Sequence, residues 1–365
     1  MAKKLTVAIA GAGMIANAGH IPAWLHLEDD VELVGIYNHR LDKARHTADR
    51  HGIPHAYDDW NKLLCDLEPD VVSICTPNTS HKAYTISALE AGAHVLCEKP
   101  IAASYASALE MYDAALKADR VLFVGQTGRF YSSAVAAYEF ASSGQLGEIY
   151  YAEASALRRR GVPKWGRFHI QADSGGGALV DIGVHALDLL LWLMGNPRVV
   201  SATGATYRKL ADQDEQLVTS LVDSGAPVGL FDPRPYDYHE FDVEDMAVGF
   251  LRLENGATIS IKASWAANVP PGMGGSMILG TQGGLRLRPL TLVRNMGGYQ
   301  VDVTPQVPAD PDVPFYGHWL ETEHLVQVIR GQAESIVRRA EVLNVIRALE
   351  GLYLSAREGR EVRFD

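Results

Sequence analysis

Hydrophobic and polar positions in the first third of the chain alternate between two periods. Mostly apolar runs at Leu5–Ala10, Val31–Tyr37, Val71–Thr76, His94–Cys97 and Val121–Val124 read as strands buried on both faces. Segments between them, such as Leu41–His51 and His81–Ala91, have helix-like spacing. The alternation predicts an α/β, doubly wound parallel sheet covered by helices over residues 1–125. From about Gln126 the pattern changes. A helix is expected at Ala134–Ser142, a strand at Ile149–Leu157, and a Gly-rich helix start at Gly175–Gly177. The apolar helix that follows ends near Met194-Gly195. Longer strands come next at Val199–Tyr207, Met246–Leu253 and Ala257–Trp265, the last two flanking the hairpin signal Glu254-Asn255-Gly256. Two more strands are expected within Gly275–Arg294, an extended connection at Pro305–Pro314, and a closing helix at Ala340–Arg357. Residues 126–365 therefore read as an α+β domain with a mostly antiparallel sheet.

Composition narrows the class. A chain of 365 residues has room for two domains with sizeable cores, and 47% hydrophobic with 21% charged residues is ordinary for a globular protein. The net charge of −11 argues against a sequence-independent nucleic-acid binder, which needs a basic surface. Three cysteines, Cys65, Cys75 and Cys97, make no disulfide framework and contain no C-x-x-C zinc pair. Cys75 and Cys97 sit in apolar runs and are expected as buried thiols. The N-terminus leads straight into a strand without a signal-peptide pattern. No apolar stretch reads as long enough to cross a bilayer. The expectation is a reduced, cytoplasmic protein with neither nucleic-acid nor membrane partner.

The first chemistry lies at Gly11-Ala12-Gly13-Met14-Ile15-Ala16, directly after a strand. In a G-x-G-x-x-A turn, Gly11 permits the tight bend and Gly13 lets the backbone approach a pyrophosphate. Ala16 allows close helix packing, and the helix N-terminus favours the phosphate charge. Gly11, Gly13, Met14 and Ile15 are thus cofactor candidates. The second strand ends in Asn38-His39-Arg40. Asn38 can still bond an adenosine ribose hydroxyl without repelling a 2′-phosphate, which His39 or Arg40 can accommodate; both NAD and NADP are permitted. Ligands of doubly wound sheets lie beyond the carboxyl ends of the strands. That adds Thr76, Pro77, Asn78 and His81 after the third strand, Glu98 and Lys99 after the fourth, and Gln126 after the fifth. Asn78 and Ser80 also suit helix capping.

Glu98-Lys99-Pro100 places a lysine at the sheet mouth with a proline restricting its backbone. Further on, Asp181 and His185 are four residues apart on an otherwise apolar helix, so they share one face. Either they form a hydrogen-bonded structural pair, or they are catalytic. Hydride transfer from a secondary alcohol needs a base for the hydroxyl proton, which His185 suits, and a group that stabilises the developing alkoxide, which Lys99 suits. Asp181 can orient the imidazole or bond a neighbouring substrate hydroxyl. No third metal ligand stands at helical spacing, and such a mechanism needs no metal. In Arg158–Gly166, Trp165 can pack near the nicotinamide or a sugar ring and the arginines can reach substrate oxygens or cofactor phosphates, or the segment is a basic surface loop; Arg129 is expected near the cleft. Tyr236 and His318 are further candidates.

These residues resemble those of the glucose–fructose oxidoreductase / inositol dehydrogenase / rhizopine-catabolism (Gfo/Idh/MocA) family. The matching pieces are Gly11–Ala16, Thr76-Pro77-Asn78 with His81, Ala91–Pro100, Gly144–Ile149 and Gly175–Asp188, in the expected order over nearly the whole chain. The resemblance implies a Rossmann domain and an α+β domain with an open sheet whose outer face supports a homodimer or homotetramer. It also implies Lys99, Asp181 and His185 as the catalytic set, with His185 the acid/base. Asn38 departs from the acidic residue of NAD-preferring relatives.

The leading reading is an NAD(P)-dependent dehydrogenase for a sugar, glycoside or inositol. A redox-neutral glycosidase or lyase that oxidises a hydroxyl transiently is an alternative, and a non-catalytic nucleotide sensor a third.

Overall fold

The computed structural model of the chain describes residues 3–213, 234–270 and 272–364. Six strands form the first sheet: β1 (Leu5–Ala10), β2 (Val31–Tyr37), β3 (His55–Tyr57), β4 (Val71–Ile74), β5 (His94–Cys97) and β6 (Leu122–Val124). Their order is β3-β2-β1-β4-β5-β6, and every neighbouring pair is parallel. Val7–Ala10 and Val71–Ile74 are buried throughout, as strands covered on both faces must be. The strand order reverses between β1 and β4, and a crevice opens there at the carboxyl ends of the strands.

The second sheet has nine strands: β7 (Ile149–Leu157), β8 (Val199–Tyr207), β9 (Met246–Leu253), β10 (Thr258–Ser264), β11 (Met277–Gly280), β12 (Gly283–Leu287), β13 (Leu290–Met296), β14 (Tyr299–Val303) and β15 (Val362–Arg363). The order is β14-β13-β12-β11-β7-β10-β9-β8-β15, with only β7–β10 parallel. Helices Val184–Leu193 and Arg339–Glu358 bury their apolar sides against one face. Tyr150, Tyr207, Phe250, Met296 and Tyr299 of these strands are exposed.

Several elements differ from expectation, each for a physical reason. β3 is short and half-exposed, so it carries no strand-like apolar run. Gly275–Arg294 holds three strands, since tight turns at 281–282 and 288–289 cut it twice. The helix Tyr316–Ile329 escapes pattern reading because its buried side includes His318, Glu321 and Thr322, which break the apolar period. It packs on the segment Ala16–His26 of the first unit. Arg339–Glu358 does not close the chain, because β15 follows and pairs with β8. Gln171–Leu193 has the length and apolarity to cross a bilayer, contrary to the expectation. Its apolar window is 78% buried inside the protein, which marks it as a core element.

Candidate active site

A cleft of about 1430 Å³ runs along the carboxyl ends of β1, β2, β4 and β5 and continues between the two sheets. This exceeds the roughly 300–1,000 Å³ of ordinary small-ligand pockets and leaves room for a dinucleotide beside a second ligand. One end is built by the turn after β1. Gly11 has φ +105°, and a Cβ there would stand 2.5 Å from the Cys75 carbonyl oxygen, so glycine is required. Nothing lies within 4 Å of a Cβ built on Gly13, which leaves that backbone open to an approaching phosphate. These two positions fit a dinucleotide. The helix after the turn begins with a π-helical stretch, Ala16–His20, before the α-helix Ile21–His26.

The cleft wall includes Gly11, Gly13, Met14, Ile15, Asn38, His39, Arg40, Thr76, Pro77, Asn78, Glu98 and Lys99. Asn38 Oδ1 accepts the Arg40 backbone N–H at 3.0 Å, and Arg40 is ion-paired with Asp42. Asn78 donates to the Ser174 carbonyl at 2.8 Å, tying the cofactor wall to the second unit. His81, expected at the cofactor, stands elsewhere. It is fully buried with its ring nitrogens 2.9 Å and 3.0 Å from the carbonyls of Pro100 and Thr76, so it braces two strand ends from behind. Gln126 is also buried and lies outside the cleft wall, which its neighbours Gly125 and Thr127 form.

Lys99, Asp181 and His185 meet on the cleft floor. Lys99 Nζ donates to the Asp181 backbone carbonyl at 2.8 Å and lies 3.2 Å from Asp181 Oδ1. The other carboxylate oxygen accepts the indole N–H of Trp265 at 2.8 Å. Asp181 sits in the π-helical stretch Leu179–Gly183 and His185 in the α-helix that continues it. Both side chains line the cleft, yet no hydrogen bond joins them. Insertion of a π turn in a helix is frequent at functional sites.

Electrostatics follow from this packing. Burial pushes the Asp181 carboxyl up, but the charges of Lys99 and Arg158 and the Trp265 hydrogen bond outweigh it and hold the group below its usual range. Burial and the Lys99 charge hold the His185 imidazole well below its ordinary value, against the pull of Asp181. His185 is therefore neutral and can accept a proton, while Lys99 faces an ionised carboxylate.

Two supporting residues give no sequence signal. Trp265, fully buried at the end of β10, fixes Asp181 from 84 positions away. Glu244 accepts hydrogen bonds from the backbone N–H of Gly177 at 2.9 Å and of Leu179 at 3.0 Å, and from the Tyr353 hydroxyl at 2.8 Å. It thereby caps the helix that carries Asp181. A Cβ on Gly177 would fall 1.9 Å from the Glu244 carbonyl oxygen, so glycine is needed for this approach.

Arg158 and Trp165 line the cleft, and the buried indole N–H of Trp165 has no hydrogen-bond partner among the described residues. His318 lines it as well. Tyr236 stands off the cleft wall and packs on His169. Arg129 is a correction. It is fully buried, with Nη2 2.6 Å from Asp188 Oδ1 and Nη1 on Glu341, and does not reach the cleft. Its position after β6 points it into the packing between helices, where two carboxylates neutralise it.

A parallel sheet with a phosphate-binding turn at its switch point, joined to a lysine–aspartate–histidine floor, defines a nicotinamide-dependent oxidoreductase. Residues 5–126 match the family described as "Oxidoreductase family, NAD-binding Rossmann fold", and residues 134–286 the "GFO/IDH/MocA C-terminal domain". The chain belongs to the Gfo/Idh/MocA family of NAD-binding oxidoreductases. It is 33% identical to D-glucoside 3-dehydrogenase of Escherichia coli K12 over 98% of this chain and 97% of that protein. It is 29% identical to levoglucosan dehydrogenase of Pseudarthrobacter phenanthrenivorans over 60% of this chain and 56% of that one. The crystal structure of aldose-aldose oxidoreductase from Caulobacter crescentus, complexed with glycerol, superposes with a TM-score of 0.77 at 26% identity, covering 99% of this chain and 100% of that one.

Proposed function

We propose that this oxidoreductase oxidises a secondary ring hydroxyl of a D-glucoside, at carbon 3, with NAD. The observation that carries the reading is the convergence of Lys99, Asp181 and His185 in one cleft with the Gly11–Gly13 turn. The likeness to D-glucoside 3-dehydrogenase over nearly the full length of both chains supports the choice of sugar.

Gly11, Gly13, Thr76 and Asn78 would hold the dinucleotide, and the bound nicotinamide supplies a hydride acceptor. The protein's residues do the rest. Neutral His185 takes the hydroxyl proton onto a ring nitrogen, which its lowered pKa leaves free. The Lys99 ammonium stabilises the oxyanion as it forms, and Asp181 holds that ammonium in place by side chain and backbone. Trp265 fixes Asp181 in turn. The Arg158 guanidinium is a donor for sugar oxygens at the far wall, where the Trp165 side chain also lines the cleft. The exposed aromatic face of the second sheet suits a homo-oligomer contact.

The test is a screen of D-glucosides, 1,5-anhydro sugars, aldoses and inositols with NAD, read at the reduced-nicotinamide band. D-Glucosides are expected to give the highest kcat/KM and a 3-keto product. Equal rates with inositols or free aldoses would refute the glucoside assignment.

A further inference from the structure

At the Lys99 end of the cleft, with Glu98 and His318 on its wall and His20 and Glu321 buried behind them, lies a second polar cluster that the hydride chemistry does not use. Three elements distant in sequence supply it: His20 from the π-helical stretch Ala16–His20, Glu98 after β5, and His318 with Glu321 from the helix Tyr316–Ile329. His318 and Glu321 are three residues apart and so share a helix face. One donor atom each of His20, His318 and Glu321 lie within 4.8 Å of one another, and all three residues are buried. Glu98 Oε1 stands beside them, 2.9 Å from His20 Nε2 and 3.3 Å from His318 Nε2. Gly19 makes the meeting possible, since a Cβ there would press on the His318 ring at 3.1 Å.

Hydrogen bonding in this cluster does not close. Glu321 is fully buried, and neither carboxylate oxygen has a partner among the described residues. Ionised, it is an uncompensated buried charge. Protonated, it carries an O–H with no acceptor. Both states are costly. The tautomer of His318 sharpens the point. Its Nδ1 lies 3.3 Å from the Phe315 carbonyl, which only accepts, so Nδ1 carries the proton. Nε2 faces the Glu98 carboxylate, which also only accepts, so without a metal this nitrogen carries a proton too, and only a bound cation leaves it bare. A histidine that gives one ring N–H to a backbone carbonyl and presents the other nitrogen bare has the arrangement of a metal ligand. His20 can do the same, with Nδ1 bonded to Ser73 Oγ at 3.3 Å.

We propose that His20, His318 and Glu321, with Glu98 as the fourth ligand, bind a divalent cation of the zinc class. Two imidazoles and two carboxylates suit such an ion, and its charge balances the two carboxylates. Tetrahedral zinc with bonds of about 2.0 Å spaces its ligands by roughly 3.3 Å, so the donors of His20, His318 and Glu321 close in by at most about 1.5 Å, and Glu98 Oε1 already stands at about that spacing. The ion pins the helix Tyr316–Ile329 to the strand end that carries Lys99. It is a clamp, separate from hydride transfer and independent of the sugar assignment. The metal-free alternative is a protonated His318 between Glu98 and a neutral Glu321. Burial, the largest influence on it, pushes Glu321 up to about 8 in the metal-free protein.

The experiment uses the full-length, tag-free protein, equilibrated with Zn²⁺, freed of excess ion by gel filtration and assayed by elemental analysis. Wild type retains about one equivalent, and the isosteric Glu321→Gln, checked for folding by circular dichroism, retains less than about a tenth of that. Anomalous scattering at the zinc edge from a crystal of the wild type places the ion between His20, His318 and Glu321, which keeps the test valid if the variant does not fold. Retention of less than about a tenth of an equivalent by folded wild type overturns the proposal. So does undiminished binding in Glu321→Gln or an anomalous peak elsewhere.

Discussion

Trp265→Phe separates an organised floor from a mere meeting of residues. The substitution keeps a ring in the core and deletes one donor, the indole N–H 2.8 Å from Asp181 Oδ2. A hydrogen bond to a charged group contributes about 1.5–3 kcal/mol. Asp181 then retains Lys99 alone, and Lys99 keeps its bond to the Asp181 backbone carbonyl, so the ammonium stays near but its carboxylate partner swings. If most of the lost energy is felt in the transition state, kcat/KM falls about ten- to a hundredfold. NAD affinity is unchanged, because the Gly11–Gly13 turn lies at the other end of the cleft. The assay pairs initial rates of NADH formation with a fluorescence titration of NADH and a thermal melt. A kcat/KM within about twofold of wild type, or a loss matched by a loss of cofactor affinity, would refute the role given to Trp265.

Lys99→Ala is expected to lower kcat by about 10²–10³ while NADH still binds, measured by turnover and fluorescence titration. For His185, whose folded pKa is lowered, the neutral form persists as pH falls through the ordinary 6.5, so the acid limb of kcat/KM lies below that value; an inflection at 6.5 or above contradicts it. Arg129→Met leaves the buried carboxylate of Asp188 unpaired, while Glu341 keeps the Arg338 backbone N–H, and lowers stability by about 3–5 kcal/mol in denaturant titration, with kcat/KM of the folded fraction retained. No carboxylate stands at Asn38, so NADP binds with affinity comparable to NAD in equilibrium titration; undetectable NADP binding would count against this reading of the adenosine end.

Much of this architecture is legible locally. Strands β1, β2 and β5 carry their boundaries in mostly apolar runs, and the Gly11–Gly13 turn announces the crevice because only glycine meets the backbone demands at Gly11 and Gly13 leaves the backbone open. Lys99, Asp181 and His185 stand out because polar residues interrupt apolar segments. What stays hidden depends on partners far away in sequence. Nothing near Trp265 or Glu244 says that they grip the helix of Asp181, since those contacts form only when β9 and β10 fold against it. Arg129 and His81 misled for the converse reason: position after a strand end suggests the cleft, but each points backward into packing that satisfies it. The helix Tyr316–Ile329 is obscured by the buried His318 and Glu321 that set it apart.

The most direct test of the central claim follows a single hydrogen. The enzyme is given NAD and a D-glucoside deuterated at carbon 3, and the nicotinamide and sugar are analysed by mass spectrometry and NMR. The account predicts deuterated reduced nicotinamide and 3-keto-glucoside in equal amounts, with the label transfer lost in Lys99→Ala. Consumption of the glucoside without accumulation of reduced nicotinamide, or turnover that leaves the carbon 3 label in place, would contradict it.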